Sequence, residues 1–298
     1  MNGSDEFILT KEADGKENGA SDFDREEWAR LKKAERERAY DLIDQEAMVV
    51  AASAPCLKDF LDVQSRFPEY SVGNALLLTA QMPNAARLGD FSYWKERGVH
   101  IQRGEVGIIL LKPGKEYTKA DGSTGLRIDA RHFFDVSQTT LRPSGVPEKK
   151  RDIRALLKAL TSQAPCEIRT DDAVSFPENR AAWYDSGTQL IYADKGKDPE
   201  VLFRELAEET VHALLDRGEY VREEHELTAY CASYVICARN GVPAGEFRYR
   251  EIPDGFSSLG VKEIKAQLRT IRDLSGRVCQ EMERCFEREA ERSAEVER

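Results

Sequence analysis

The chain has 298 residues and a mass of 33.7 kDa, is 41% hydrophobic and 33% charged, and carries a formal charge of −10. At roughly 150 residues per domain this length suggests two domains, and the apolar fraction excludes wholesale disorder. The longest apolar runs, residues 48–52 and 106–111, fall far short of the roughly 18–20 residues that cross a bilayer, so no membrane association is expected.

Residues 1–23 are polar and acidic and read as a disordered head. The absence of a basic-then-apolar leader in residues 1–19 makes the expected location cytoplasmic. A helix should start at Asp24, with Ser21 or Asp22 as its cap, and run to Ala54, where Pro55 interrupts. A second helix follows over 57–66 and a third over 71–82, stopped by Pro83. Strands are expected at 107–111 and 126–136, joined by a loop carrying Asp121-Gly122. The Pro143–Pro147 stretch marks a linker, 143–150. Beyond it come a helix over 151–162, strands near 166–170 and 188–192, and a helix over 199–217 with Asp198 as cap and Pro199 in its first position. Helices over 223–240, closed by Gly241, and 261–274 complete this part. Residues 276–298, where Glu and Arg interleave, read as a solvated helical tail. The expected class is α+β in two parts, residues 24–142 and 151–275.

Six cysteines (56, 166, 231, 237, 279 and 285) form no C-x-x-C pair and read as reduced structural thiols. Any zinc site would therefore draw on His, Glu or Asp. No G-x-x-x-x-G-K, G-x-G-x-x-G or G-x-S-x-G motif is present, so nucleotide hydrolysis, dinucleotide redox and hydrolase-elbow chemistry have no support.

Charge is uneven along the chain. Between Arg66 and Lys150 there are 13 Lys/Arg against nine Asp/Glu, an excess of four positive charges that leaves −14 on the remainder. The overall acidity argues against generic DNA adhesion, while a locally basic segment keeps a nucleic-acid surface open. Within that segment Phe91, Tyr93 and Trp94 precede Lys95, Arg97 and Arg103. Aromatic faces stack on unpaired bases while cations meet phosphates; the same rings could instead fill a core. Asn74 and Gln81 share one face of an apolar helix, where amides either meet a nucleic acid or tie down neighbouring backbone.

The block Tyr70-Ser-Val-Gly-Asn-Ala-Leu-Leu-Leu-Thr-Ala-Gln-Met-Pro-Asn-Ala85 resembles the N-terminal domain of ArdC-type antirestriction and LtrC-like proteins of plasmids and conjugative elements. So do the Phe91-to-Trp94 step, the run from Gly98 to Pro113, and Phe134-Asp-Val-Ser-Gln-Thr139. The resemblance covers roughly residues 28–241. It implies a helical and β-hairpin single-stranded-DNA-binding domain followed by a zincin-like α+β domain, in an accessory protein of a mobile element directed against host defence. Expected roles, from the matched blocks and residue chemistry, are base stacking by Tyr70, Phe91 and Trp94, phosphate contact by Arg66, Arg103 and Lys112, and polar contact by Asn74, Gln81 and Gln138. Single-stranded DNA is the expected partner, with a host defence protein as a second.

The zincin helix motif is H-E-x-x-H, in which two His one turn apart hold Zn²⁺ and the Glu activates its water. Here that register reads Glu208-Glu209-Thr210-Val211-His212, and the third ligand of the related peptidases, a Glu followed three residues later by Ala, corresponds to Glu226 and Ala229. Glu209 matches the general base, His212 and Glu226 two ligands, and Glu208 stands where the first His belongs. The resemblance thus implies a degenerate metallopeptidase-like domain. Two alternatives stand beside that reading: an active zinc peptidase with Glu209 as base, and a non-catalytic interaction module.

Overall fold

The computed structural model describes residues 22–118, 121–141, 151–170, 176 and 180–296. Most of the head and the whole 143–150 linker lie outside these residues. The first part opens with three helices, α1 (Asp22–Ala52), α2 (Ala54–Arg66) and α3 (Val72–Gln81). The expected break near Pro55 falls at Ser53, and Pro55 itself occupies the first turn of α2, where its missing N–H would have had no helical partner. A short strand β1 (Leu88–Gly89) and a helix α4 (Phe91–Glu96), capped by Asp90, follow. The long hairpin β2 (Ile108–Thr118) and β3 (Thr124–Asp135) then completes an antiparallel sheet of order β1-β3-β2.

Strand β2 outruns the sequence expectation because pairing resumes beyond Pro113 and Gly114, across a register irregularity between Pro113 and Glu116. A bulge tolerates proline. Glycine gives room beside it, since a Cβ at Gly114 would lie 2.3 Å from Asp129 Oδ2 and 3.2 Å from the Arg127 carbonyl and would displace the aspartate.

The second part contains α5 (Ile153–Ser162), a small sheet, α6 (Pro199–Leu215), α7 (Arg222–Arg239), a single turn α8 (Asp254–Ser257) and α9 (Val261–Val296). The sheet has order β4-β6-β5, with β4 (Ile168–Arg169) parallel and β5 (Ala182–Asp185) antiparallel to β6 (Leu190–Ala193). Strand β5 is not in the sequence reading; its four residues are too short an alternation to register. Asp198 caps α6 as expected, accepting from the N–H groups of Glu200 and Val201.

The expected division into two parts does not produce two cores. Val50, Leu61 and Leu76 from α1–α3 belong to the same hydrophobic cluster as Val211, Cys231 and Leu268 from α6, α7 and α9. Polar contacts cross the same seam: Tyr234 donates to Asp62 (2.7 Å), Arg272 Nε to the Tyr70 carbonyl (2.9 Å) and Lys265 to Asp44 (2.5 Å).

The tail is likewise no separate solvated helix. Helix α9 runs through Gly276 without a break and buries Val278, Cys279, Met282 and Cys285. Those positions recur at helical spacing inside a charge-dense stretch, and the charges lie on the other face or pair with α5. Arg151 grips Glu283 through two bonds (2.5 and 2.7 Å) and lies over Phe286, and Lys158 meets Glu289 at 2.6 Å. At roughly 1.5–3 kcal/mol per large buried side chain, deleting everything after Ser275 should visibly lower the melting temperature followed by circular dichroism. An unchanged melt would contradict this packing.

Among the described residues no helix is long and apolar enough to cross a membrane.

Candidate functional site

Several of the residues expected to touch DNA are consumed by the fold. Asn74, on α3, pairs with the backbone of Leu111 in both directions, donating to its carbonyl and accepting from its N–H (2.8 Å each). Gln81 does the same to Ile109, donating at 3.0 Å and accepting at 2.9 Å. Strand β2 is an edge strand, and these two amides satisfy groups that a further strand would otherwise pair. Gln138 accepts from Asp135 N–H (2.9 Å) and donates to Glu105 and the Val106 carbonyl. Trp94 is 1% exposed and its indole N–H donates to the Phe134 carbonyl at 3.0 Å. Tyr70 is 8% exposed and stacks on Phe67 with centroids 5.3 Å apart. Burial and the neighbouring Glu69 push its phenol up to about 12.

These five assignments are therefore corrected. The amides tie backbone and the two rings pack inside, because hydrogen-bond satisfaction and apolar burial outweigh the surface role that residue type alone suggested. The cations divide. Arg66 donates to the carbonyls of Ala85 and Pro83, which fixes the turn after α3. Lys112 lies over Tyr70 and Phe133 (5.5 and 5.2 Å). Phe91 is 54% exposed, and Arg103 is exposed as well.

The second cluster gathers on one face of α6. Glu208, His212 and Glu226 bring one ligand atom each to within 4.8 Å of one another, so the register read from the sequence does converge in space. Three arginines that the sequence reading did not assign converge with them: Arg180 ahead of β5, Arg222 at the start of α7, and Arg248 from the segment after α7. Arg248 holds Glu208 through two bonds, 2.9 and 2.7 Å, and donates to Glu226 at 2.8 Å. Arg180 donates to Glu208 at 3.0 Å and lies 3.1 Å from Glu209. Arg222 holds both oxygens of Glu209, at 3.0 and 2.5 Å, while its guanidinium lies over the Trp183 ring at 3.8 Å.

The acids of α6 also close the free edge of the second sheet. Glu209 accepts from Tyr184 N–H at 2.7 Å, and Glu205 from the N–H groups of Ala181 (2.5 Å) and Ala182 (3.3 Å). A peptide adding to that edge would find these donors taken. His212 is fully buried, with Nδ1 2.5 Å from the Tyr220 hydroxyl. Its Nε2 has no hydrogen-bond partner, the nearest acid oxygen, Glu226 Oε2, lying 3.5 Å away. His225, next to Glu226 in the sequence, stacks on Tyr220.

Two chemical consequences follow. Glu209 is 0% exposed, and its two oxygens are occupied by guanidinium and backbone donors, so it has no free lone pair directed at a water to serve as general base. Nor do these residues fit a divalent metal as they stand. A zinc ion would sit about 2.0–2.2 Å from carboxylate oxygens, and one Arg248 nitrogen already occupies Glu208 Oε1 and Glu226 Oε1, at 2.9 and 2.8 Å. His212 Nε2 is the one donor of the set that points in unengaged.

The lattice also sets a pH dependence. Burial alone would raise Glu226, but its proximity to His212, 3.5 Å away, and the charges of Arg222 and Arg248 outweigh it and lower the carboxyl from its ordinary 4.5 to about 2. A group lowered on folding contributes stability above its unfolded value and loses it as the pH falls through its folded one. Stability should therefore drop between about pH 4.5 and 2, and Glu226→Gln should flatten that limb in urea titrations at stepped pH. An identical acid limb in the variant would contradict the assignment.

The arginines were visible in the sequence as residues, but nothing in their spacing announced them: Arg180 and Arg248 come from irregular segments 28 and 40 positions away from Glu208. No protein-family model matches the chain, and no curated protein does. Solved structures similar to it include two of one protein. One is the metal-free crystal structure of the antirestriction ArdC protein from R388 plasmid, 18% identical with a TM-score of 0.44 over 72% of this chain and 83% of that one. The other is the Mn(II)-bound structure of the same protein, 16% identical with a TM-score of 0.47 over 75% of this chain and 90% of that one. Both structures are of the ArdC antirestriction type that the four sequence blocks resemble.

Proposed function

We propose that the chain is a single-stranded-DNA-binding accessory protein of a mobile genetic element, acting against host defence on incoming DNA, in which the zincin-like half is a non-catalytic scaffold. The resemblance of the four ordered blocks supports the class. The observation that carries DNA binding is the surface of α4 and the loop after it. Phe91 is exposed, and Lys95, one helical turn on, lies on its side of the helix. Arg97 stacks on Tyr93 at 3.7 Å, and Arg87 and Arg103 are exposed nearby in the sequence. An exposed ring among cations is the pattern that holds unpaired bases and their phosphates together. The DNA-facing set is accordingly Phe91, Lys95, Arg97 and Arg103, with buried Trp94 anchoring α4 from inside.

The non-catalytic reading of the other half rests on Glu209. A carboxylate pinned by Arg222, Arg180 and the Tyr184 N–H does not take a proton from water.

The test is fluorescence anisotropy of a labelled single-stranded oligonucleotide titrated with protein at low and moderate salt. Affinity should fall with salt. Phe91→Ala should weaken binding by about 1–3 kcal/mol, roughly 5- to 150-fold, and Arg103→Ala should reduce the salt slope by about 1. Absence of binding at micromolar wild-type protein would remove the proposal.

A further inference from the structure

We infer that Arg248 is a tethered cation standing in the place of a metal ion, so that the Glu208–His212–Glu226 cluster is neutralised by the chain itself and takes up an ion only when that side chain is removed. Place, charge and tethering carry the inference. One Arg248 nitrogen lies 2.9 Å from Glu208 Oε1 and 2.8 Å from Glu226 Oε1, the bridging position between the two carboxylates of the cluster. Three guanidiniums offset all but one of four negative charges without an ion: Glu205, Glu208, Glu209 and Glu226 face Arg180, Arg222 and Arg248, with every one of these acids within 4.0 Å of at least one guanidinium.

Arg248 is also held from behind. Its backbone N–H donates to the Tyr230 hydroxyl at 2.8 Å, and its guanidinium lies over the Tyr230 ring at 4.4 Å. Phe247 and Tyr249 on either side pack edge-on against the same ring, at 5.4 and 5.3 Å. The aromatic cluster thus fixes the segment, and the side chain reaches one way only, into the acids. Burial works against its charge, but the hydrogen bonds and charge of Glu208 and the charge of Glu226 more than compensate and raise its pKa further.

Arg248 is 37% exposed at its side chain, so shortening it opens the cluster to solvent. What remains is Glu226, the Glu208 Oε2 that Arg248 releases while Arg180 keeps Oε1, and an unengaged buried His212 Nε2, in a cluster whose ligand atoms already lie within 4.8 Å of one another. This is a donor set that zinc accepts, leaving a fourth position for water.

The inference goes beyond the DNA reading and stands or falls apart from it. The experiment is calorimetric titration of the full chain with zinc sulfate, paired with thermal melts in zinc and in chelator. The wild type should take up no stoichiometric zinc, and its melting temperature should be the same in both media. Arg248→Ala should bind one equivalent and melt higher in zinc than in chelator, and adding Glu226→Gln should abolish both effects. Arg248→Lys, which keeps a cation, should behave as the wild type. If Arg248→Ala does not fold, the wild-type and Arg248→Lys titrations decide. One equivalent bound by wild type and lost in Glu226→Gln would overturn the inference, as would a folded Arg248→Ala that binds no more zinc than the wild type.

Discussion

Arg222→Ala should destabilise the protein by well over about 1 kcal/mol and by at most the roughly 3–5 kcal/mol of a buried charge left wholly unpaired, because Arg180 still lies 3.1 Å from Glu209. Its partner Glu209 is fully buried, and Arg222 supplies two of the bonds that hold it. The loss should be non-additive. Arg222→Ala combined with Glu209→Gln should be more stable than the sum of the single losses, because the glutamine keeps an acceptor for the Tyr184 N–H without a stranded charge. Urea unfolding of the four proteins in the cycle measures this directly. A single-variant loss below about 1 kcal/mol, the scale of an exposed ion pair, would show that the lattice is loosely solvated rather than a fixed part of the core.

Trp94→Ala should cost a further about 3–5 kcal/mol, the usual penalty for emptying a buried aromatic site, and it also strips the Phe134 carbonyl of its donor. Phe91→Ala, three residues earlier, should stay within about 0.5 kcal/mol of wild type, since that ring is 54% exposed. The pair separates two roles that the sequence ran together. Loss of DNA binding in Trp94→Ala would report unfolding, whereas loss in Phe91→Ala, with an unchanged melt, would report lost contact. A stable Trp94→Ala protein would contradict the packing described for α4.

What the sequence made legible was governed by local rules. Asp198 with Pro199, the proline after α3 and the Asp121-Gly122 turn each fix structure within a few residues, and the corresponding elements lie where expected. The convergence of Glu208, His212 and Glu226 was legible for the same reason, since helical spacing and one inter-helix step suffice. What was not legible depended on distant partners. Whether Asn74 meets a nucleic acid or a strand edge is decided by Leu111, 37 positions away. Whether Trp94 faces outward is decided by Phe134, 40 positions away. Whether the acids of α6 await a metal is decided by Arg180, Arg222 and Arg248, which belong to no motif. The tail failed differently: its Glu and Arg content concealed a four-residue apolar stripe that is buried against the rest of the fold, Cys279 beside Asn240 and Cys285 beside Ser162.

Elemental analysis of the chain purified without chelator tests the central claim most directly, since guanidinium groups either do or do not fill the ion's place. Protein carrying far less than one equivalent of zinc, manganese or any other divalent metal, while fully folded, is the result this account predicts. One equivalent of tightly held metal per chain would contradict it.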